Sequence, residues 1–301
     1  MSDRRIALIA NPSAGGGKAG SVLPVAQEHL AGRGLAVHTV LTTSLEHGRE
    51  VAASAASEGA IPVILSGDGL VGAAAGALRD IPGATMGIVP SGRGNDFARI
   101  VGIPFETREA CDVIADGEAL PFDLGVADGA AFVGIASLGF DSDANRIANE
   151  APKWLGGAAY AYAALRAMAG WRHARFTVDV DGDVRTFSGW SVAAANSRAY
   201  GGGMLIAPNA DLHDGQVDVI LTRASSKLAF LRGLPSVFQG THVEKDQVQE
   251  LRGRSVRISA DRPFVVYADG DPIGELPITV TTLPGAIRVL VPADAGAGTA
   301  A

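Results

Sequence analysis

The chain has 301 residues, 47% hydrophobic and 19% charged, which is enough apolar material for one large or two medium cores, and two domains are expected. Its formal charge of −7, with no cluster of Lys and Arg, excludes the electrostatic footprint of a nucleic-acid binder and any global attraction to an anionic membrane. The single cysteine, Cys111, excludes an intramolecular disulfide framework, fits a reducing compartment such as the cytosol, and reads as a small buried hydrophobe.

The first apolar run, Ile6-Ala7-Leu8-Ile9-Ala10, is far too short for the core of a signal peptide and predicts a strand over Arg5 to Ala10. No stretch reaches the roughly twenty apolar residues of a membrane span, so any membrane contact is expected to be peripheral. The strand ends in Asn11-Pro12-Ser13-Ala14-Gly15-Gly16-Gly17-Lys18, and helical spacing follows over Ser21 to Ala31. Strand, glycine loop and helix form the opening unit of an open α/β domain. The loop matches neither a Walker A sequence nor the dinucleotide fingerprint, so a phosphate contact through Lys18 and a flexible surface turn are both open.

A strand at Leu35 to Leu41, a Thr42-Thr43-Ser44 turn, a helix over Leu45 to Glu58 and a strand at Ile61 to Leu65 come next. This alternation argues a parallel sheet with right-handed crossovers, in which a ligand sits beyond the C-terminal strand ends. Ser66-Gly67-Asp68-Gly69-Leu70 occupies one such end, before a helix over Val71 to Leu78. An apolar strand, a glycine turn with a carboxylate and a helix start suit phosphate handling, although an Asp-capped tight turn has the same sequence. A further strand, Thr85 to Val89, delivers Pro90-Ser91-Gly92-Arg93-Gly94-Asn95-Asp96, where Asn95 and Asp96 are also candidate helix caps.

From Phe122 the texture changes to short apolar runs between turns: Gly125 to Gly129, Phe132 to Ser137, Phe176 to Val184, Ser191 to Asn196 and Val217 to Leu221. Such runs predict a mainly antiparallel second domain, a sandwich or small barrel. A helical interval from Asp143 to Gly170, carrying Trp154, Tyr160, Tyr162 and Met168, either lines a greasy cleft or covers the sheet. Asp211, Asp214 and Asp218 surround a turn; oxygen ligands spaced through a loop suit a hard cation such as Mg²⁺, and metal-free Asp-Gly turns share the pattern. Val265 to Ala268 is a strand ending in Asp269-Gly270-Asp271, and Ile287 to Val291 is the last strand. The tail from Ala293 to Ala301 has the composition of a disordered segment.

Taken together, the Asn11-Pro12 loop, Ser66-Gly67-Asp68-Gly69, Pro90 to Ala98, Leu138-Gly139-Phe140-Asp141, Gly201 to Asp218 and Asp269-Gly270-Asp271 stand in the order and spacing of one family. The chain resembles the bacterial lipid kinases of the diacylglycerol kinase catalytic-domain family, relatives of sphingosine and ceramide kinases. The resemblance implies an open α/β ATP-binding domain like that of NAD kinases and phosphofructokinases over residues 1–122. It implies a mainly antiparallel β-sandwich domain for lipid and metal over 123–292, with ATP in the cleft between and 293–301 as tail. Implied nucleotide contacts are Asn11, Thr42, Ser66, Gly67, Asp68, Gly69, Leu70, Gly92, Arg93, Asn95 and Asp96. The implied proton acceptor is Asp271, with Asp68 as the other candidate. A structural Mg²⁺ is implied at Asp211, Asp214 and Gln216.

The expected activity is transfer of the γ-phosphate of ATP to a lipid hydroxyl, such as that of diacylglycerol, by a cytoplasmic protein working peripherally at the inner membrane face. A homodimer is among the implied assemblies. The chain departs from the family's Gly-Gly-Asp-Gly-Thr pattern at Ser66 and Leu70, from its Asn-Glu pair at Gly72 and Ala73, and from its Gly-Thr at Gly92-Arg93. Its acceptor Glu is shortened to Asp271. Two alternatives stay open: NAD kinase-like phosphorylation of a soluble acceptor, and a non-catalytic nucleotide- or lipid-binding relative.

Overall fold

The computed structural model describes residues 4–150 and 159–293. Trp154 and the tail from Asp294 onward lie outside them.

The N-terminal half alternates β1 (Arg5–Ala10), α1 (Lys18–Gly32), β2 (Ala36–Leu41), α2 (Leu45–Ser57), β3 (Ile61–Ser66), α3 (Asp68–Leu78) and β4 (Thr85–Pro90). The short α4 (Asp96–Ile100) and α5 (Thr107–Asp116) complete it. Its strands pair in parallel in the order β4-β3-β1-β2. Ile6 to Ala10 and Val63 to Leu65 are buried without alternation, as strands covered by helices on both faces must be. Cys111 is buried on α5, and desolvation pushes its thiol up to about 12, leaving it an inert core residue.

The second half is antiparallel: β5 (Glu118–Ala127), β6 (Ala130–Phe132), β7 (Ile135–Gly139), α6 (Phe140–Glu150), α7 (Ala159–Gly170), β8 (Ala174–Val180), β9 (Asp183–Ala195) and β10 (Val217–Arg223). There follow α8 (Lys227–Val237), β11 (Val248–Gly253), β12 (Ser255–Ala260), β13 (Val265–Ala268), β14 (Asp271–Glu275) and β15 (Ile278–Val291). Phe176, Val178, Trp190, Val192, Val256 and Ile258 share one sandwich core. In β8 buried positions alternate with more exposed ones, the mark of a strand with one face on the core.

Boundaries differ from the sequence reading at instructive places. The stretch Phe176 to Val184 is two strands, because Asp181 and Gly182 adopt φ of 51° and 94° and turn the chain into a β8–β9 hairpin. The helix expected from Val71 begins at Asp68, so Gly67 is its N-cap and Asp68-Gly69-Leu70 its first turn. Likewise α1 starts at Lys18. The last strand is much longer than Ile287 to Val291: β15 pairs with β12 and β5 in the sandwich and runs parallel to β4 at Arg288 and Val289. The chain therefore ends by welding the sandwich to the edge of the α/β sheet.

Candidate active site

Because β4, β3 and β1 are adjacent and parallel, the loops after them meet at one edge of the sheet. A Cβ at Gly15 would strike Ser91 O, and Gly67 and Gly92 touch backbone to backbone. The turn after β4 is locked by Asn95, which sits at φ 52°. Its Oδ1 accepts from Gly92 N (2.7 Å) and its Nδ2 donates to Gly92 O (3.2 Å). Asn95 is thus the N-cap of α4 by position but braces the loop with its side chain.

Asp96, buried at 6% exposure, reaches across to the sandwich half. Its carboxylate accepts from Gly202 N (2.8 Å) and Gly203 N (2.7 Å). Gly201, Gly202 and Gly203 have φ of 67°, 87° and 101°, a run of left-handed backbone open to glycine that turns successive amides onto one anion. Asp96 is therefore committed to joining the halves. At the base of the same turn, Tyr200 and Met204 exchange backbone hydrogen bonds (3.1 Å each).

Three further carboxylates converge on the start of α3. Asp68 Oδ1 accepts from Phe97 N (3.1 Å), and burial, then the neighbouring Asp96, raises its pKa. Asp269, at φ 53° in the β13–β14 turn, accepts from Val133 N (2.8 Å) and Gly134 N (2.9 Å). Burial, reinforced by Asp68 and Asp271, still pushes Asp269 up to about 7. Asp271 lies against the phosphate-loop candidate itself: a Cβ on Gly69 would overlap its Oδ2. Desolvation raises Asp271, and no hydrogen bond holds its carboxylate among the described residues. A Cβ on Gly72 would come within 2.6 Å of Asp269 Oδ2, so the Asp269 carboxylate packs directly on the α3 backbone there. Asp269 and Asp271 border a 330 Å³ cleft lined also by Gly69, Gly72, Ala268 and Arg49, among others.

The remaining expected nucleotide contacts are distributed unevenly. Ser66 is buried at the end of β3. Thr42 is buried, with its hydroxyl donating to Ala10 O (3.4 Å). Asn11 Oδ1 caps Ser13 N (3.1 Å). Leu70 points away from the cleft: its side chain is 2% exposed and packs against Gly48 of α2, leaving only its backbone at the helix start. Arg93 is exposed at the turn and has no ion pair among the described residues.

The expected metal ligands do not converge. Asp211 Oδ1 accepts from His213 N (3.0 Å) and meets His213 Nδ1 (3.1 Å). Asp214 Oδ1 accepts from Gln216 N (2.9 Å), and Gln216 O accepts from Thr282 Oγ1 (3.0 Å). Arg252 fills the remaining side of the turn. Its guanidinium lies 3.5 Å from Asp214 Oδ2 and 2.8 Å from Asp218 Oδ1, and no group of three acidic, His or Cys side chains suited to a metal occurs among the described residues. Arg252 is thus the cation beside this turn, while the buried Asp214 Oδ2 and Asp218 Oδ2 have no hydrogen-bond partner among the described residues.

Sequence reasoning missed three contributors. Asp269 was hidden because only one carboxylate of Asp269-Gly270-Asp271 was assigned a role. The pairing of Asp96 with Gly202 and Gly203 spans more than a hundred residues. Asp123, 2% exposed, pins the 211–218 turn to β5 by accepting from Gly215 N and Gly285 N (2.7 Å each), and no motif marks it.

On the outer face of the sandwich, a separate 130 Å³ cavity lies between β9, β10 and α8. Met204, Ile206, Ile220, Phe230 and Leu234 make it apolar, and Asp141 and Ser191 supply a polar end. Desolvation raises Asp141 to about 6, opposed by a hydrogen bond from Ser191. Tyr200 and Met204 line this cavity too, so one turn grips Asp96 at its tip and walls the cavity at its base.

The sequence matches the diacylglycerol kinase catalytic domain over residues 5–127 and the YegS C-terminal NAD kinase beta sandwich-like domain over 134–291. A diacylglycerol kinase of Mycobacterium tuberculosis is 34% identical over 96% of this chain and 95% of its own length. A Pseudomonas aeruginosa protein named Probable lipid kinase YegS-like is 31% identical, over 89% of this chain and 88% of its own. A crystal structure of a diacylglycerol kinase from Bacillus anthracis superposes with a TM-score of 0.73 at 19% identity, covering 96% of this chain and 97% of that one, a likeness of fold alone.

Proposed function

Since the chain belongs to the diacylglycerol kinase family and is a kinase of that type, we propose that it transfers the γ-phosphate of ATP to the hydroxyl of a diacylglycerol-like lipid, with Asp271 as proton acceptor. The observation that carries this reading is the placement of Asp271, an unpaired and desolvated carboxylate, against Gly69 at the start of α3. Phosphoryl transfer asks a protein for positioning and charge more than for covalent chemistry. In this reading the phosphate oxygens lie at the glycine loops after β1, β3 and β4, where the α3 amides and Arg93 would meet them, and Mg²⁺ would enter with the nucleotide as its counter-ion. Asp271 takes the acceptor proton as the hydroxyl oxygen bonds to phosphorus and the bond to ADP breaks. Asp68, already accepting from Phe97 N, is better suited to holding the loop. The apolar cavity beside the Gly201–Gly203 turn favours a lipid over a soluble acceptor such as NAD.

Labelled ATP offered with diacylglycerol micelles, and separately with NAD, tests the reading. Label should enter the lipid phase with the wild type and not with Asp271→Asn. Label in NAD, or in no acceptor across a glycerolipid and sphingoid panel, overturns it.

A further inference from the structure

Gly201, Gly202 and Gly203 lose more backbone entropy on ordering than other residues would, so their turn needs support from its surroundings. Its feet are fixed: Tyr200 and Met204 exchange backbone hydrogen bonds, and Leu205 N donates to Val237 O (3.0 Å) at the end of α8. Two groups steady its tip. Gly202 N and Gly203 N donate to the Asp96 carboxylate, bonds strengthened by its charge. A Cβ on Gly201 would collide with Met204 Cε, so the Met204 side chain lies against the tip as well.

Those two groups belong to different sites. Met204, together with Tyr200 and Ile206, lines the 130 Å³ apolar cavity. Asp96 opens α4 beside the start of α3, where Phe97 N donates to Asp68 Oδ1. A Cβ on Gly94 would meet both Asp96 Oδ2 (2.7 Å) and Asp68 Oδ2 (3.2 Å), and Gly92 touches Gly67. Contact therefore runs unbroken from the cavity to Met204, from Met204 to the glycine tip, from the tip to Asp96 and from Asp96 to the phosphate-loop candidate.

We propose that the Tyr200–Met204 turn is a relay through which filling of the apolar cavity and binding of nucleotide phosphate strengthen each other. An occupant of the cavity confines Met204 against Gly201 and removes part of the entropic cost of ordering Gly202 and Gly203 on Asp96. Asp96 held in this way steadies the Asp68 turn, and by linkage a nucleotide there strengthens binding in the cavity by the same factor. The relay rests on the reading that nucleotide lies at the start of α3 and a lipid chain in the cavity; the ordering of the glycine tip does not, so both are measured.

The full chain is followed in two ways, with dioctanoylglycerol as the probe. One is amide hydrogen exchange at Gly202 and Gly203 without nucleotide, and the other is the Kd of Mg²⁺–AMP-PNP, whose terminal phosphate is not transferred. In the wild type the probe should slow exchange at both glycines and tighten AMP-PNP about fivefold, the low end of coupling between sites. Ala193 is a cavity-lining residue of β9, and Ala193→Val adds two methyl groups there. That variant should slow the same exchange and tighten AMP-PNP with no lipid present, and adding Met204→Ala should cancel both effects. A variant that had merely lost affinity for lipid could not cancel an effect seen without lipid. Unchanged exchange at Gly202 and Gly203 with both the probe and Ala193→Val overturns the relay, as does persistence of the responses in the Met204→Ala background. Slower exchange with no change in AMP-PNP binding overturns it too, since the turn then senses the cavity and passes nothing on. Both responses in a protein that transfers label to no acceptor leave the relay standing and refute only the kinase reading.

Discussion

Two acidic turns of this molecule are alike in composition and differ in counter-charge: burial raises Asp218 of the second as it raises the carboxylates of the first, but only the second has an ion pair among the described residues. Around the start of α3, Asp68, Asp269 and Asp271 are brought together with no ion pair among the described residues, and desolvation raises all three. In the 211–218 turn, Asp214 and Asp218 face Arg252, and Asp211 and Asp214 accept backbone amides two residues on. Arg93, near the first, has no ion pair among the described residues, whereas Arg252 is committed to the second. Carboxylates held apart from counter-charge are a reservoir for proton transfer, whereas neutralised ones hold chain together. On the proposed function the first turn works on the substrate, and the Arg252 pairs give the second a structural part.

The largest expected effect follows from the unpaired member. Asp271→Asn keeps the volume and removes the proton acceptor, so turnover should fall by about a hundred- to ten-thousand-fold. Nothing folded depends on its charge, so Tm should hold or rise slightly. The pH–rate profile sharpens the same point. The base works ionised, so kcat should climb with pH through a limb lying above the ordinary carboxylate range of 3.8, because desolvation raises Asp271. A flat profile, or an Asn variant at wild-type turnover, places the base elsewhere.

Next in size is the committed arginine. Asp218 is 1% exposed while the Arg252 side chain is 37% exposed, so Arg252→Ala strands a buried carboxylate at a partly wet site. A destabilisation of about 2–3 kcal/mol is expected in denaturant unfolding, at the low end of what breaking buried pairs costs. The kcat of the folded fraction should be unchanged. Wild-type Tm without nucleotide should not respond to EDTA or Mg²⁺, whereas Arg252→Ala should regain stability as Mg²⁺ is added. A wild type that melts earlier in EDTA shows that the turn holds a metal after all.

How much of this contrast the sequence shows depends on what makes each feature. Strand-to-helix alternation made the α/β half legible, because a doubly covered strand such as Ile6 to Ala10 leaves a continuous apolar run and its loops must fall at strand ends. The antiparallel half was legible as a class. The length of β15 was not, since Pro284 and Gly285 interrupt it with a register shift that reads as a loop. The proposed site positions Asp68 and Asp271 stood out beside turn glycines, but their neighbours in space did not. Sequence displays carboxylates and hides their counter-charges, and Arg252 and Gly202 lie far from the residues they satisfy.

The departures from the family pattern supply a third comparison, now within the first turn. Gly72→Ala places a Cβ 2.6 Å from Asp269 Oδ2, and the helix cannot move away because Val71 and Ala75 are buried on it. About 1–2 kcal/mol of destabilisation is expected from this overpacking. Gly83→Ala, where a Cβ meets nothing but the φ of 73° is strained, separates backbone cost from the clash with Asp269: only the Gly72 variant should also lower kcat. Equal kcat in the two variants would mean that Asp269 does not position the reacting end of the cleft.

The smallest effect concerns the free arginine. Arg93 stands where the family has Thr, next to Gly92, whose backbone touches Gly67 of the α3 start, and it is exposed with no carboxylate partner among the described residues. A guanidinium in that position costs the fold nothing to leave unpaired, because water solvates it, and it is free to meet an arriving anion. If that is a nucleotide phosphate, Arg93→Ala should raise KM for ATP about fivefold, the worth of one partly solvated charge-assisted hydrogen bond, with Tm unchanged. Arg93→Lys should recover only part of the loss, since a point charge replaces a planar fork. The same substitution made at Arg252 should reverse the signature, lowering Tm and leaving KM alone. If Arg93→Ala moves Tm and not KM, the two arginines are both structural and the distinction between the turns fails.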